Sequence, residues 1–317
     1  MPLLTRKRVI LIELESSYSV DPNPTATDAV LVRDLTITPQ ASDVVSRDLV
    51  RPYLGASEQL LANTRVECTF AVELAGSGVV GTPPRYSSAL KACGLSEAIT
   101  DESSPTGNDT VTYTPLSATF PSVTIHYNVD GVRHKVTGAR GTVEISAEVG
   151  EIPVLNFSMQ GIYVAPDDEA LPNVTYANQA TPLIFKNGNT SGFQLLSFSG
   201  ALQSFSFDLG NELVYQELVG GTKQVLLVDR AANGSVAIEA PTLSQKDYFA
   251  ASLTDSTLGN LQFTHGTEDG NKVQFISTKV DIGDVNYGDI DGIASLEIPY
   301  TLIPSTSGND EFSLIYT

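Results

Sequence analysis

The chain has 317 residues, enough for two domains of ordinary size that each bury a core. Only 17 % of the residues are charged, and Ser, Thr, Gly and Val are abundant while strong helix formers are not, which is the composition of an all-β protein. A net charge of −19 excludes nucleic acid as an adhesive partner, since affinity for phosphate comes from Lys and Arg.

Alternating apolar and polar residues, the mark of strands with one buried face, recur along the whole chain. The pattern predicts strands at 9–15, 31–38, 66–74, 110–113, 122–128, 132–137, 142–147 and 154–163. A second series falls at 193–198, 202–209, 224–228, 235–240, 261–265, 272–276, 279–282 and 294–303. Asp130-Gly131 and Asp269-Gly270, each between strand-like residues, predict tight hairpins of the primed type. Two short helices are expected. Residues 86–93 put Tyr86, Ala89, Leu90 and Cys93 on one stripe before Gly94, and residues 244–253 carry Tyr248, Phe249 and Leu253. The segment 94–121, polar and rich in turn formers, is expected to be largely an exposed loop.

The sequence is written twice. Residues 42–50 match 211–219 with three identities in nine pairs and three conservative pairs, Asp43 with Glu212, Val44 with Leu213, and Asp48 with Glu217. A shift of 170 pairs Asn63 with Asn233 and Val66 with Val236, and a shift of 139 pairs His126 with His265 and Asp130-Gly131 with Asp269-Gly270. Matched blocks in one order predict two tandem antiparallel modules, 1–170 and 191–317, each with one flanking helix. Between them a linker spans 171–190, in a stretch opened by Pro166, Asp167, Asp168, Glu169 and Pro172, with the boundary near 175. The first module is longer by the insertion at 94–121.

Residues 39–65 form a long gap between predicted strands, and the second half has a comparable gap between 209 and 235. Hairpin connections usually run two to five residues, and long ordered ones usually carry function. The gaps hold Val44, Val45, Leu49, Tyr53 and Leu54, with Arg47, Asp48 and Arg51, and in the second half Glu212, Leu213, Tyr215, Glu217 and Leu218. Two readings stand. Each gap is a hairpin folded back on its own domain, or it is an arm that packs on a neighbouring subunit.

Chemistry is sparse. His126, His134 and His265 are the only histidines, and the matched pair reads as structural. No nucleophile elbow, zinc-binding helix motif, dinucleotide fingerprint or phosphate loop is present. Asp281, Asp284, Asp289 and Asp291 lack the spacing of an EF-hand and read as a solvated turn. A glycosidase acid and base pair cannot be picked out among the 37 acidic residues. Cys68 and Cys93 read as two buried thiols, with a disulfide as the alternative. The basic triplet Arg6-Lys7-Arg8 precedes an apolar run that ends at Glu13, too short for a secretory signal, and no apolar stretch approaches a membrane span. No cofactor, metal or membrane partner is expected, and the reading is non-enzymatic.

Several runs carry a likeness to a known family: Arg47-Asp-Leu-Val-Arg-Pro-Tyr-Leu-Gly55, Val72-Glu-Leu-Ala-Gly-Ser-Gly78, and the stretch from Val129 to Gly141. Asp208-Leu-Gly-Asn-Glu212, Ile238-Glu-Ala-Pro241 and the stretch from Asp291 to Pro299 add to it. Together they resemble the tail tube, or major tail, proteins of long, non-contractile-tailed phages related in part to Mu-like phages. The resemblance runs from about residue 9 to the end. It implies β-sandwich or barrel-like modules with a flanking helix, in rings that stack into a hollow tube, with a long loop reaching the next ring; here that loop maps to 40–65 and 210–234. Two modules per chain then imply a pseudo-sixfold ring of three chains. The implied partners are further copies of the chain, the tape-measure, tail tip and terminator proteins, and double-stranded DNA passing without tight binding. The implied location is the virion tail, after synthesis in the bacterial cytoplasm. A two-module adhesin that binds a receptor or glycan is the alternative function.

Overall fold

The computed structural model describes residues 3–100, 109–254 and 258–317. The β-branched and aromatic runs form β1 (Arg8–Leu14), β2 (Ala29–Val30), β3 (Arg33–Ser46), β4 (Gln59–Glu73), helix α1 (Ser87–Ala92), β5 (Leu95–Thr100) and β6 (Thr110–Pro115). They continue as β7 (Val123–Val129), β8 (Val132–Glu148), β9 (Val154–Tyr163) and β10 (Asp167–Asp168). The second half holds β11 (Thr190–Leu195), β12 (Leu202–Asp208), β13 (Asn211–Glu217), β14 (Lys223–Arg230), β15 (Asn233–Glu239) and helix α2 (Tyr248–Ser252). It ends with β16 (Gly259–His265), β17 (Val273–Ile282), β18 (Asn286–Ile290), β19 (Ile293–Leu302) and β20 (Ser313–Tyr316). The fold is all-β, and its strand ladders are antiparallel.

In the first half the strands pair in the order β1, β7, β8, β9, β4, β3. In the second they pair in the order β11, β16, β17, β19, β15, β12. Two ladders then join the halves. Ser204–Asp208 of β12 runs antiparallel to Glu144–Glu148 of β8, with Phe205 opposite Ala147 and Phe207 opposite Ile145. The last strand, β20, bridges β17 and β6.

The buried apolar residues form one contiguous cluster across both halves, where a core for each was expected. The joining ladders are the reason. Tyr316 of β20 packs edge-on against Tyr113 at 5.6 Å, and its hydroxyl lies 3.1 Å from that of Tyr86. Further along, Phe275 of β17 meets Phe205 at 5.0 Å, Phe207 at 5.2 Å and Phe312 at 5.7 Å. Such edge and offset contacts add to area burial.

Local chemistry revises several expectations. Asp130-Gly131 makes a two-residue turn, with φ of 32° and 105°, between Val129 and Val132. That is the positive-φ geometry of a primed hairpin. Asp269-Gly270 does not: the pairing stops at His265 and Val273, leaving a loop over 266–272. The tight turn of the second half lies instead at Asp291-Gly292, between Ile290 and Ile293. The runs 132–137 and 142–147 are one strand, β8, bent by a bulge between Thr137 and Arg140. Gly138 sits there at φ 60°, and a Cβ on it would lie 2.8 Å from the Tyr18 ring. The expected loop 94–121 contains β5 and β6, paired from Leu95–Pro115 to Thr100–Thr110; residues 101–108 lie outside the described part. The second helix starts at Tyr248, not at 244, because the Asp247 carboxylate accepts the Ala250 amide at 2.9 Å and caps it there. The 171–190 segment is bound to both halves: Ala180 N–H donates to Gly76 O and Gln179 exchanges two hydrogen bonds with Leu31, while Leu183 O and Asn189 O accept from His265 and Gly266.

The matched histidines point to opposite faces. His126 alternates with core residues Ile125 and Tyr127, whereas His265 shares a face with Leu261 and Phe263. The shift of 139 is therefore out of phase for side-chain direction. His126 Nε2 meets Asp21 at 3.2 Å, and His265 is held between the Thr190 hydroxyl and Leu183 O at 2.9 and 3.2 Å. Both cysteines are free and buried, and burial pushes the Cys68 thiol up to about 12.

Phe275→Ala opens a cavity among four aromatic rings and is expected to cost about 3–5 kcal/mol in denaturant unfolding. Burial lowers the pKa of both His126 and His265 below 6.5, with Asp21 offsetting part of the shift at His126. Their contribution to stability is full above pH 6.5 and is lost as pH falls through the lower folded values. His265→Gln is expected to flatten the melting temperature against pH in that window, measured by thermal scans from pH 7 downward.

Candidate assembly surfaces

Two hairpin arms leave the sheet, one from each half, and they end differently. The first is the far end of β3 and β4, paired from Asp43–Ala62 to Ser46–Gln59, with residues 47–58 as its tip. The second is β13 paired with β14, closed by residues 218–222. Thus the gaps 40–65 and 210–234 are paired strands rather than open loops.

The first arm is exposed. Val50 and Leu54 are fully exposed, and Val44, Val45, Leu49, Tyr53, Leu60 and Leu61 are at least half so. Apolar residues seldom gather in water at this density on a monomer. The polar residues around them are paired locally. Arg47 meets Glu58 at 2.7 Å, Ser46 donates to Asp48 at 2.8 Å, and the Arg51 guanidinium lies 6.0 Å from the Tyr53 ring centre. At the arm's base, Asn63 donates to Asp43 at 2.8 Å; this bond and one from Arg65 hold the Asp43 carboxyl below its ordinary value.

The second arm is fastened to the first half, where it packs on β4, β8 and β9. Arg140 of β8 is the main fastener. Its guanidinium donates to Val225 O at 2.7 Å, Phe120 O at 2.7 Å and Pro121 O at 3.3 Å, and lies 4.9 Å from the Tyr18 ring centre. The Tyr18 hydroxyl accepts the Val225 N–H at 2.6 Å and donates to Gly138 O at 3.2 Å. Val225 itself is buried. At the foot of the arm, Asn211 donates from Nδ2 to Cys93 O and Gly141 O. Arg230 donates to Leu116 O and to Glu311 at 2.6 Å each, with both charged side chains about nine-tenths buried.

Of the residues singled out from sequence, Tyr215 turns inward: its hydroxyl donates to Thr64 O at 3.1 Å, on β4 below the first arm. Glu217 pairs with Lys223 across the hairpin at 3.0 Å. Leu218 and its neighbour Val219 stay exposed at the tip, while Glu212 and Leu213 lie on β13. The fasteners Tyr18, Arg140, Asn211, Arg230 and Glu311 were missed. The available signal was an arginine flanked by glycines inside a strand-like run, Gly138-Ala139-Arg140-Gly141.

Removing the Arg140 guanidinium leaves three carbonyls without a charged donor, and each such bond is worth about 1.5–3 kcal/mol. Arg140→Ala is expected to loosen the second arm before the rest of the sheet. Amide exchange should rise at Val225 and Lys223 while β16 and β17 stay protected.

Among the described residues no three metal-ligating side chains gather, and no helix is long and apolar enough to cross a membrane. No curated protein matches the sequence. A family model described as phage tail tube protein matches residues 5–302, nearly the whole chain. The chain therefore belongs to the phage tail tube protein family, and its role is that of a structural component of the phage tail.

Proposed function

We propose that three chains form each ring of the tube, every chain supplying two tandem modules, 1–170 and 191–317, so that six modules surround the bore. The observation that carries this reading is the repeated strand order: six strands pair in the same sequence in each half, with a helix and a hairpin arm at the same places. Rings then stack head to tail, a heterologous contact that generates filaments rather than closed particles. The arm residues Val44, Val45, Arg47, Asp48, Leu49, Arg51, Tyr53 and Leu54 serve contacts with neighbouring copies. On the second arm, the exposed Glu212, Glu217 and Leu218 do the same, while Leu213 is half-buried on the side of Tyr215.

The tube is a conduit for the genome, and its charge suits that task. Duplex DNA carries one negative charge per about 1.7 Å, so a basic bore would retain it. A chain of net charge −19 repels the polyanion and lets it slide. The remaining contacts are with the proteins that set tube length and close its two ends, namely tape-measure, tip and terminator. Synthesis and assembly take place in the host cytoplasm, and the product is a part of the virion.

Negative-stain microscopy of the purified chain at rising concentration tests this. Three-lobed rings and stacked tubes are the expected products. Particles that stay monomeric at every concentration and bind cells or glycans would support an adhesin instead and overturn the tube reading.

A further inference from the structure

The junction inside the chain contains both halves of a contact that its outer edges leave unmade. Within the chain, β12 pairs on one side with β15 and on the other with β8. Its counterpart in the first half, β3, pairs only with β4 among the described residues. The counterpart of the end of β8 is the segment that runs from β17 into β18, beside β19. Among the described residues β18 pairs only with β19. Each chain thus presents one unpaired edge of the β12 kind and one of the β8 kind. Open edges of this sort invite pairing.

The faces correspond as well. In the first half, Ile162 and Gln160 of β9 lie opposite Arg65 and Glu67 of β4. In the second, Pro299 and Glu297 of β19 lie opposite Ser235 and Ala237 of β15. The second arm covers this face in the first half: a cleft there is lined by Ile162 and Arg140 on the sheet and by Thr222, Lys223 and Gln224 of the arm. The matching face of the second half lies open, as a shallow groove of about 430 Å³ lined by Ser235, Ala237, Asn286, Glu297 and Pro299. Within the chain both this groove and the first arm stay uncovered. Charge does not oppose this contact: Glu239 and Glu297 are exposed around the groove, and the arm tip at 47–58 carries Arg47 and Arg51 against Asp48 and Glu58.

We infer that the junction between the halves recurs between copies. Residues 38–43 of β3 in one chain add antiparallel to β18 of the next, and the first arm, residues 43–62, folds over the β15 and β19 face of that neighbour. The inference rests on the self-assembly proposed above and names its contact: within one ring, first half to second half of the adjacent chain, rather than the next ring to which the family resemblance assigns this loop. The partner is a second copy of this chain.

Site-directed crosslinking on the full chain tests it. Gln40→Cys is combined in turn with cysteine at Tyr287, Gly288, Asp289 and Ile290, and assembled material is oxidised and run on a denaturing gel. The native Cys68 and Cys93 are fully buried and stay out of the reaction. At least one pair is expected to give covalent dimers and a closed covalent trimer, while each single variant gives none from that position. In the same background, Val50→Ser with Leu54→Ser is expected to abolish both crosslink and rings, while thermal unfolding of the monomer stays as in the parent. Tubes that form normally without any crosslink in the scan would overturn this contact and leave the tube reading intact. Failure of the parent chain to assemble at any concentration would overturn both. A crosslink that persists with the arm doubly substituted would remove the arm from the contact.

Discussion

The union of the two sheets depends on one antiparallel ladder, the five residues of β12 laid along the end of β8. Without it β8 and β12 would end in raw edges; with it and the β20 bridge, the halves share one core. The side chains follow from the backbone pairing. Phe205 and Phe207 are placed opposite Ala147 and Ile145, and from there they reach Phe275 and Phe312.

The second constraint is polar. Folding the second arm onto the first half puts backbone groups and two arginines where water is scarce, and a buried charge without partners is strongly unfavourable. Arg140 answers three main-chain carbonyls and an aromatic face, and Arg230 answers one carbonyl and Glu311. Burial lowers the pKa of Arg140, with Tyr18 and Glu15 opposing the shift, so the cost of desolvation is offset locally. Such sites fix geometry more than they add stability. They hold one arm in a single pose, and the first arm, whose tip has only short-range pairs such as Arg47 with Glu58, has no such fastening. The same hairpin is therefore a finished contact in one half and an available one in the other.

What could be read from the sequence was what alternation and turn chemistry encode. Residues 154–163 are β9 residue for residue, and Asp130-Gly131 forms its turn because both positions take positive φ. Alternation failed where a strand bends: Gly138 and Ala139 broke β8 into two apparent strands, since a bulge inserts residues that disturb the period. The strand β13 was hidden because its pattern serves a hairpin with one face on another sheet, not on a common core. Asp269-Gly270 misled, for the dipeptide fits a seven-residue loop as well as a two-residue one. The arms themselves were legible as unusual gaps holding apolar residues. Their fates were not. Which arm is fastened depends on Arg140 and Tyr18, which lie 85 and 207 residues from Val225. No local pattern encodes contacts of that range. The family likeness lay in runs of turn and strand residues, and the family match over 5–302 bears out the tail tube family itself.

Native-state amide exchange across Glu144–Glu148 and β12 is the most direct measurement of the central claim. A shared sheet predicts that both sides of this ladder exchange only through global unfolding, with the same opening free energy as β9 and β15. If β12 exchanges through a separate, lower-energy opening while β9 remains protected, the halves are independent units and the ladder does not hold them together.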